Sequence, residues 1–388
     1  MLRKTLFWLH LTTGVCAGLI VVIMAATGAL LAYQAQIENW MNLRGLDGAA
    51  PAAHAQPLPV QQLITRARTA RQGVPSAVLW RPQADDPVEV RFGNRSVFLH
   101  AYTGEVLSTG SERTRRFFEI LMRIHITLGV PWGWRTFGAG VVGLANLGFL
   151  FLVLSGLVLW WPRRWHPAAV RNTLAFRRGL SSKARDFNWH NVIGFWSLVP
   201  LFIIAFSGAL LSYSLAGTAL DRLVLTVAPD APRQPARPPT EQRAIPQPAQ
   251  LDALIARAKL QQNDWRTLTM LVQPTPRGGI LFKIDRGTTG QPHKHAELVL
   301  AADGSVMRWQ PFSELSNTQK ARRMLRFAHT GEVGGVIGQT IAALVSAGAL
   351  LLAYTGIALA LRRWLAWRSR RSGRDHSARK PRARPIPA

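Results

Sequence analysis

Residues 7–33 read FWLHLTTGVCAGLIVVIMAATGALLAY, and residues 187–213 read FNWHNVIGFWSLVPLFIIAFSGALLSY. Laid side by side without a gap, Phe7 meets Phe187, His10 meets His190, Gly14 meets Gly194 and Tyr33 meets Tyr213. Thr27-Gly28-Ala29-Leu30-Leu31 meets Ser207-Gly208-Ala209-Leu210-Leu211. Each stretch holds an apolar run near or above the ~20 residues that cross a bilayer as a helix. The first resembles a secretory leader, but its run is longer than the roughly 7–15 apolar residues of one. A removable leader would also not share its pattern with an internal segment. Both stretches therefore read as membrane helices of an internal repeat.

Two further apolar blocks complete the set, so the expected spans are 9–33, 137–161, 191–213 and 336–361. The second and fourth correspond more loosely. RRFFEILMRIHITLGVPWG precedes one and ARRMLRFAHTGEVGG the other, and they end as LSGLVLWWPRR and YTGIALALRR. The predicted fold is an integral membrane, mainly α protein: four transmembrane helices as a tandem parallel repeat about an axis along the membrane normal.

Charge sets the orientation. The chain has 388 residues, is 48% hydrophobic and carries a formal net charge of +27. Its basic residues cluster beside helix ends, as topology signals do, rather than as a nucleic-acid footprint. Short Lys/Arg-rich segments next to spans stay in the cytoplasm. This places the N-terminus (1–33 with the first helix), the loop 162–190 and the tail 362–388 inside. The connections 34–136 and 214–335 lie outside. Each is expected to carry a small α+β module of one helix and three strands. The first comprises VQQLITRARTAR, then SAVLWRP, PVEVRFG and SVFLHAYTGEVLS. The second comprises LDALIARAKL, then RTLTMLVQP, GILFKID and AELVLAADGSVMRWQ. Turn signals fall at Thr103-Gly104 and Asp303-Gly304. A Pro-rich linker, APDAPRQPARPPTEQRAIPQPAQ, leads into the second module. The single cysteine, Cys16, makes no internal disulfide and reads as a small hydrophobe.

Four histidines take equivalent places. His10 and His190 fall at the inner rim, and His125 and His329 at the outer rim. Two imidazoles at one depth on neighbouring helices suit the axial positions of a six-coordinate haem. Gly14, Gly194 and Gly129 each follow a histidine by four residues, on the same helical face, where a flat macrocycle could approach the backbone. His329 departs, with Val333 at that spacing and Gly334 one further. Thr27-Gly28, Ser155-Gly156, Ser207-Gly208 and Thr355-Gly356 lie level with the histidines of the other helices and would give the ligand room. Small residues also serve plain helix packing, and rim histidines can be idle. Two histidines without a carboxylate or thiolate make a poor closed zinc site.

Other residues are open to two readings. Trp132, Trp134 and Arg135 form either an interfacial aromatic anchor or a wall of a substrate cleft. His293 and His295, in GQPHKH, form either a transition-metal pair or a solvated loop. His100 reads as structural, and His54, His166 and His376 as solvated.

The ordered set WLHLTTG with TGALLAY, IHITLG, LSGLVLWWPRR, NWHNVIG with SGALLSY, and YTGIALALRR resembles the PepSY-associated transmembrane proteins of bacterial inner membranes. FLHAYTGEVLS is similar to the end of a PepSY module. Within that family the chain looks like the haem-containing ferric-siderophore reductases of the ferrioxamine type. The resemblance implies haem b, two per chain, with His10, His190, His125 and His329 as ligands. It also implies transfer of electrons across the inner membrane to a ferric siderophore in the periplasm, with release of Fe(II). The chain has no Gly-rich nucleotide fingerprint, so the expected donor is a quinol or a separate cytoplasmic reductase. Two alternatives stand beside this reading. One is a non-enzymatic PepSY binding or assembly module in the membrane. The other is a quinol-linked b-type cytochrome with another acceptor.

Overall fold

The computed structural model describes residues 1–46, 55–161, 171, 173–229, 246–287 and 290–378. Residues 162–170 of the basic loop, 230–245 of the Pro-rich linker and 379–388 of the tail lie outside the described residues, as do His54, His166 and the side chain of His376. In chain order the helices are α1 (Leu2–Leu31), α2 (Gln34–Leu43), α3 (Val60–Ala70), α4 (Glu112–Thr127), α5 (Arg135–Trp160), α6 (Ser182–Ser212), α7 (Ser214–Val227), α8 (Leu251–Gln261), α9 (Asn317–Thr330) and α10 (Gly335–Ala378). The strands are β1 (Ala77–Trp80), β2 (Val88–Phe92), β3 (Arg95–Leu99), β4 (Val106–Ser108), β5 (Thr267–Leu271), β6 (Ile280–Asp285), β7 (His295–Leu300) and β8 (Val306–Pro311). The chain divides into a helical unit, Met1–Leu30 with Met122–Tyr213 and Ile341–Ala388, and a sheet unit, Leu31–Leu121 with Ser214–Thr340.

Four helical stretches are long and apolar enough to cross a membrane: Leu2–Leu31, Glu112–Trp160, Ser182–Ser212 and Glu332–Arg371. All four start before the expected spans; the first three end one or two residues short of them, and the fourth runs past its span at both ends. α1 and α6 begin well before residues 9 and 191, and α10 continues well beyond 361. Hydropathy marks only the part that needs lipid. Arg and Lys prolong a helix into the rim because their stems lie along it while their charges reach water. His10 and His190 therefore sit inside continuous helices rather than at their thresholds.

Contacts in the helical unit recur in matched form. A Cβ added at Gly14 would stand 3.8 Å from Leu152, and one at Gly194 would stand 3.7 Å from Leu352. Gly148 faces Thr13 and Ala17, while Gly348 faces Ile193 and Ser197. α5 and α6 pack antiparallel: Gly143 lies against the Tyr213 hydroxyl, and the buried Asn146 amide donates to the Ala205 carbonyl at 2.9 Å. Pro200 stands inside α6, where it removes one backbone donor.

In the sheet unit, all eight strands join in one antiparallel sheet ordered β4-β3-β2-β1-β5-β6-β7-β8. Strand alternation decides which side chains enter the core. Val78, Val90, Val97 and Leu99 enter from the first half, and Leu268, Met270, Phe282 and Leu298 from the second. Leu63 of α3 and Leu254 of α8 join them, and the Val60 amide donates to Asp252 Oδ1 at 2.9 Å.

Two expectations are corrected here. Each half has four strands rather than three, because Gly104 (φ +69°) and Gly304 (φ +79°) turn each predicted third strand into a hairpin. The halves are also not separate modules. β1 pairs with β5, Ala77 opposite Leu271 and Trp80 opposite Leu268. A ladder of backbone hydrogen bonds thus joins the two halves edge to edge.

On β2, Glu89 is buried and held by Arg91 at 2.7 Å, Arg81 at 3.1 Å and the Ser96 hydroxyl at 2.7 Å. Burial alone would raise its carboxyl, but Arg91, Ser96 and Arg81 together hold it below the ordinary glutamate value.

Candidate functional site: imidazole seats in the helical unit

His10, His190 and His125 each meet the hydroxyl of a Ser/Thr-Gly pair on another helix. His10 Nδ1 lies 2.8 Å from Ser155 Oγ. His190 Nδ1 lies 2.9 Å from Thr355 Oγ1. His125 Nδ1 lies 2.9 Å from Thr27 Oγ1. Each hydroxyl also donates back into its own helix: Ser155 to Phe151 O at 2.6 Å, Thr355 to Leu351 O at 2.7 Å and Thr27 to Ile23 O at 2.7 Å.

These back-bonds assign the tautomer. A hydroxyl has one proton, and here it is committed to a carbonyl that can only accept. Toward the imidazole the hydroxyl must therefore accept, so Nδ1 carries the hydrogen. Nε2 is then the unprotonated nitrogen, with its lone pair directed away from the seat. A hydrogen bond of this kind behind the ring fixes a metal-binding histidine and the nitrogen it offers. Ser207 makes the same back-bond, to Ile203 O at 2.6 Å.

The glycine of each pair lies beside the imidazole that the adjacent hydroxyl meets. A Cβ at Gly156 would stand 3.6 Å from His10 Cε1, at Gly356 3.4 Å from His190 Cε1, and at Gly28 3.2 Å from His125 Cε1. Only at Gly28 is the approach tight; at Gly156 and Gly356 an added Cβ would make ordinary contact with the imidazole, as at Gly14 and Gly194 it would with a leucine. Gly129 does not share a helical face with His125 at all. α4 stops at Thr127, and Leu128 (φ +56°) and Gly129 (φ +72°) reverse the chain. A left-handed glycine is the usual way to end a helix, and the leucine beside it is strained.

His329 lies in the last turn of α9, in the sheet unit, and the chain turns at Gly331 (φ +78°). Val333 and Gly334 belong to the short 3-10 turn that follows, not to the helix of His329.

His10 and His190 lie within electrostatic range of one another. At their depth Trp160 stacks on Phe195, with centroids 4.5 Å apart and planes 24° apart. The Trp160 indole nitrogen is buried and has no hydrogen-bond partner among the described residues. A buried unpaired donor costs about 1–3 kcal/mol, so it is a place for an acceptor oxygen. Two imidazoles and an orphaned donor fit a planar iron macrocycle bearing carboxylates. No group of three or more His, Cys, Asp or Glu placed to hold a bare metal ion occurs among the described residues.

The remaining candidates sort plainly. Trp132 and Trp134 are exposed, and the Arg135 guanidinium lies over the Trp132 ring at 4.4 Å. His293 is exposed. His295 Nε2 stands 3.1 Å from Asp285 Oδ2, in ion-pair range though not aligned as a hydrogen bond, and its ring meets Phe327 edge-on. The two imidazoles of GQPHKH are thus differently committed. His100 Nδ1 accepts the amides of Tyr102 and Thr103 and closes the β3–β4 turn. The seat hydroxyls and the Trp160–Phe195 stack escaped the sequence reading. A hydroxyl residue precedes the glycine in all four small pairs, and that was the available signal.

The sequence pattern of the PepSY-associated TM region matches residues 7–363. An uncharacterized protein of Pseudomonas aeruginosa is 30% identical over 145 residues, 36% of this chain and 34% of that protein. The matched stretch thus spans about a third of that relative's length. Four apolar helices and a family match over nearly the whole sequence describe a multi-pass membrane protein, and the chain belongs to the PepSY-associated TM region family.

Proposed function

We propose that this protein is a haem-dependent ferric-siderophore reductase of the bacterial inner membrane. In this reading it is a tandem parallel repeat with both termini cytoplasmic, and the sheet unit is a pair of fused PepSY-like modules in the periplasm. The observation that carries the proposal is the seating of three imidazoles by Ser/Thr hydroxyls whose own protons are already committed. Such seating satisfies a ring nitrogen between helices, as packing alone also requires. In a ligand it has a further use, because it holds Nε2 unprotonated.

His10 and His190 would hold one haem b and His125 and His329 a second. Ser155, Thr355 and Thr27 would hold the ring orientations of His10, His190 and His125. Trp160 would donate to a carboxylate at the inner pair. Haem, when bound through two imidazoles, supplies reversible one-electron transfer.

The chemistry asked of the substrate is small. Ferric iron is bound tightly by hard oxygen donors, and one added electron makes a larger, softer ion that they release. No general acid or base is needed. The test is the absorption spectrum of the purified protein before and after dithionite, with haem counted per chain, followed by reoxidation with a panel of ferric chelates. A b-type difference spectrum that ferric siderophores abolish is expected. A colourless protein, or haem content unchanged by alanine at all four histidines, would falsify the proposal.

A further inference from the structure

Several contacts of the helical unit recur in pairs under the correspondence that matches His10 with His190 and Ser155 with Thr355. Not every contact across the α5–α6 seam recurs, and one that does not is aromatic. Trp160 and Phe195 stack across the α5–α6 seam, but their counterparts, Ala360 and Val15, cannot stack.

The depth of this difference matters. Trp160 follows Ser155 by more than a turn, and Phe195 follows His190 likewise. Side chains on a helix lean toward its N-terminus, and α5 and α6 run in opposite directions. Both rings therefore lean back to the level of the inner histidines. One flank of that level is closed by an aromatic stack. On the other flank, at the α1–α10 seam, stand an exposed Val15 and a half-buried Ala360.

That second flank is framed at both ends. Toward the rim, the Arg363 guanidinium lies over Phe7 at 5.0 Å and Trp8 at 4.9 Å. Deeper, Gly18 meets Ile357, where an added Cβ would come within 3.3 Å. Residues 7 and 18 are about 16 Å apart along α1 at 1.5 Å per residue, room for one six-membered ring with its substituents. The surroundings, Val15, Leu19, Ile357 and Leu361, are exposed and apolar. A visitor to this window comes from the lipid. Arg363 supplies hydrogen-bond donors at its mouth. Asp186, the one carboxylate described in the helical unit, is buried and held by Arg362 at 2.6 Å and Arg185 at 3.0 Å.

We infer that the α1–α10 seam, between Arg363 and the Gly18–Ile357 contact, is the lateral port at which a lipid-soluble quinol delivers electrons to the level of His10 and His190. This rests on the reading that those histidines hold a redox group. The balance is simple. One quinol becomes quinone, losing two electrons and two protons. Two ferric chelates each take one electron, and the protons leave to the water at the rim.

The test uses the purified full chain with its haem, reduced by a short-chain ubiquinol analogue. Val15→Phe together with Ala360→Trp rebuilds the missing stack. Reduction by the quinol should slow at least tenfold, while the dithionite-reduced spectrum and the haem per chain stay at wild-type values. Should the double variant fail to load, the chain's only cysteine offers a second route. Cys16 is exposed beside Val15, and a bulky maleimide on the loaded wild-type protein should slow the quinol reaction equally. An unslowed rate in the closed variant, or after complete labelling, overturns the port and leaves a lipid acyl chain as occupant of the seam. So does a wild-type protein that dithionite reduces and the quinol does not. A wild-type protein without a dithionite difference spectrum instead sinks the haem reading, and the port with it.

Discussion

The two units solve opposite packing problems. The sheet unit buries apolar side chains from both halves in one continuous core, with Val90, Phe282, Leu298 and Met270 wholly inaccessible. The helical unit has small buried clusters, such as Ala17, Val21 and Ala145, and sets imidazoles against hydroxyls between its helices. A membrane offers little gain from burying apolar surface, so close fit and hydrogen bonds decide helix association there. The sheet unit is therefore expected to yield stability when cut, and the helical unit to yield cofactor chemistry. Phe282→Ala should cost about 3–5 kcal/mol, the largest effect. It should appear as faster hydrogen exchange in β5 to β8, with the inner haem retained. Loss of the inner haem as well would break the contrast.

The next largest effect concerns which glycines matter. Gly356→Leu drives a side chain into the space of the His190 ring, where a Cβ alone already stands 3.4 Å from Cε1. It should remove about half of the bound haem, the share of one of two sites. Gly14→Leu should do less, because its only near neighbour is Leu152 at 3.8 Å. The reverse order, with Gly14 essential and Gly356 tolerant, would restore the reading in which Gly14 clears the macrocycle rather than Gly356 the imidazole.

Ser155→Ala is gentler. It leaves the Nδ1–H of His10 without its acceptor, at a cost of about 1–3 kcal/mol. Haem should stay bound while its midpoint potential and low-spin EPR signals shift, and Ser155→Thr should restore both. A potential unchanged in the alanine variant would reduce Ser155 to a packing residue.

How much of this was legible follows from range. The four apolar helices lay on the surface of the sequence, because each is a local pattern. The seats were half legible. Depth matching placed Ser155-Gly156 level with His10, yet which atom faced which needed coordinates, so the glycine was credited to the ligand and the hydroxyl overlooked. Gly129 misled because a four-residue spacing implies a shared face only while the helix continues, and Leu128 already leaves it. The β1–β5 ladder was out of reach, since Ala77 and Leu271 are partners across half of the chain.

The smallest expected effect separates the units by pH. Glu89 is ionised in the folded sheet and held below its ordinary value of 4.5 by Arg91, Ser96 and Arg81, against the opposing effect of burial. A depressed carboxyl contributes stability that is complete above its unfolded value and is lost as pH falls through the folded one. Glu38 on α2 works the other way. Burial, with Glu119 nearby, raises its carboxyl despite Gln34 and Arg115, so its contribution fades as pH rises through the raised value. Glu89 is the more deeply buried and carries two arginines, so acid should loosen the sheet unit first. The helical unit has Asp186 as its one described carboxylate and should keep its helical circular dichroism through the same range. Glu89→Gln should flatten the acid limb of the sheet's stability while lowering it at neutral pH, because Arg81 and Arg91 then lose their buried partner. A sheet unit equally stable above and below pH 4.5, followed by hydrogen exchange in β1 to β3, would show that the arginines rather than the carboxylate set the fold of β2.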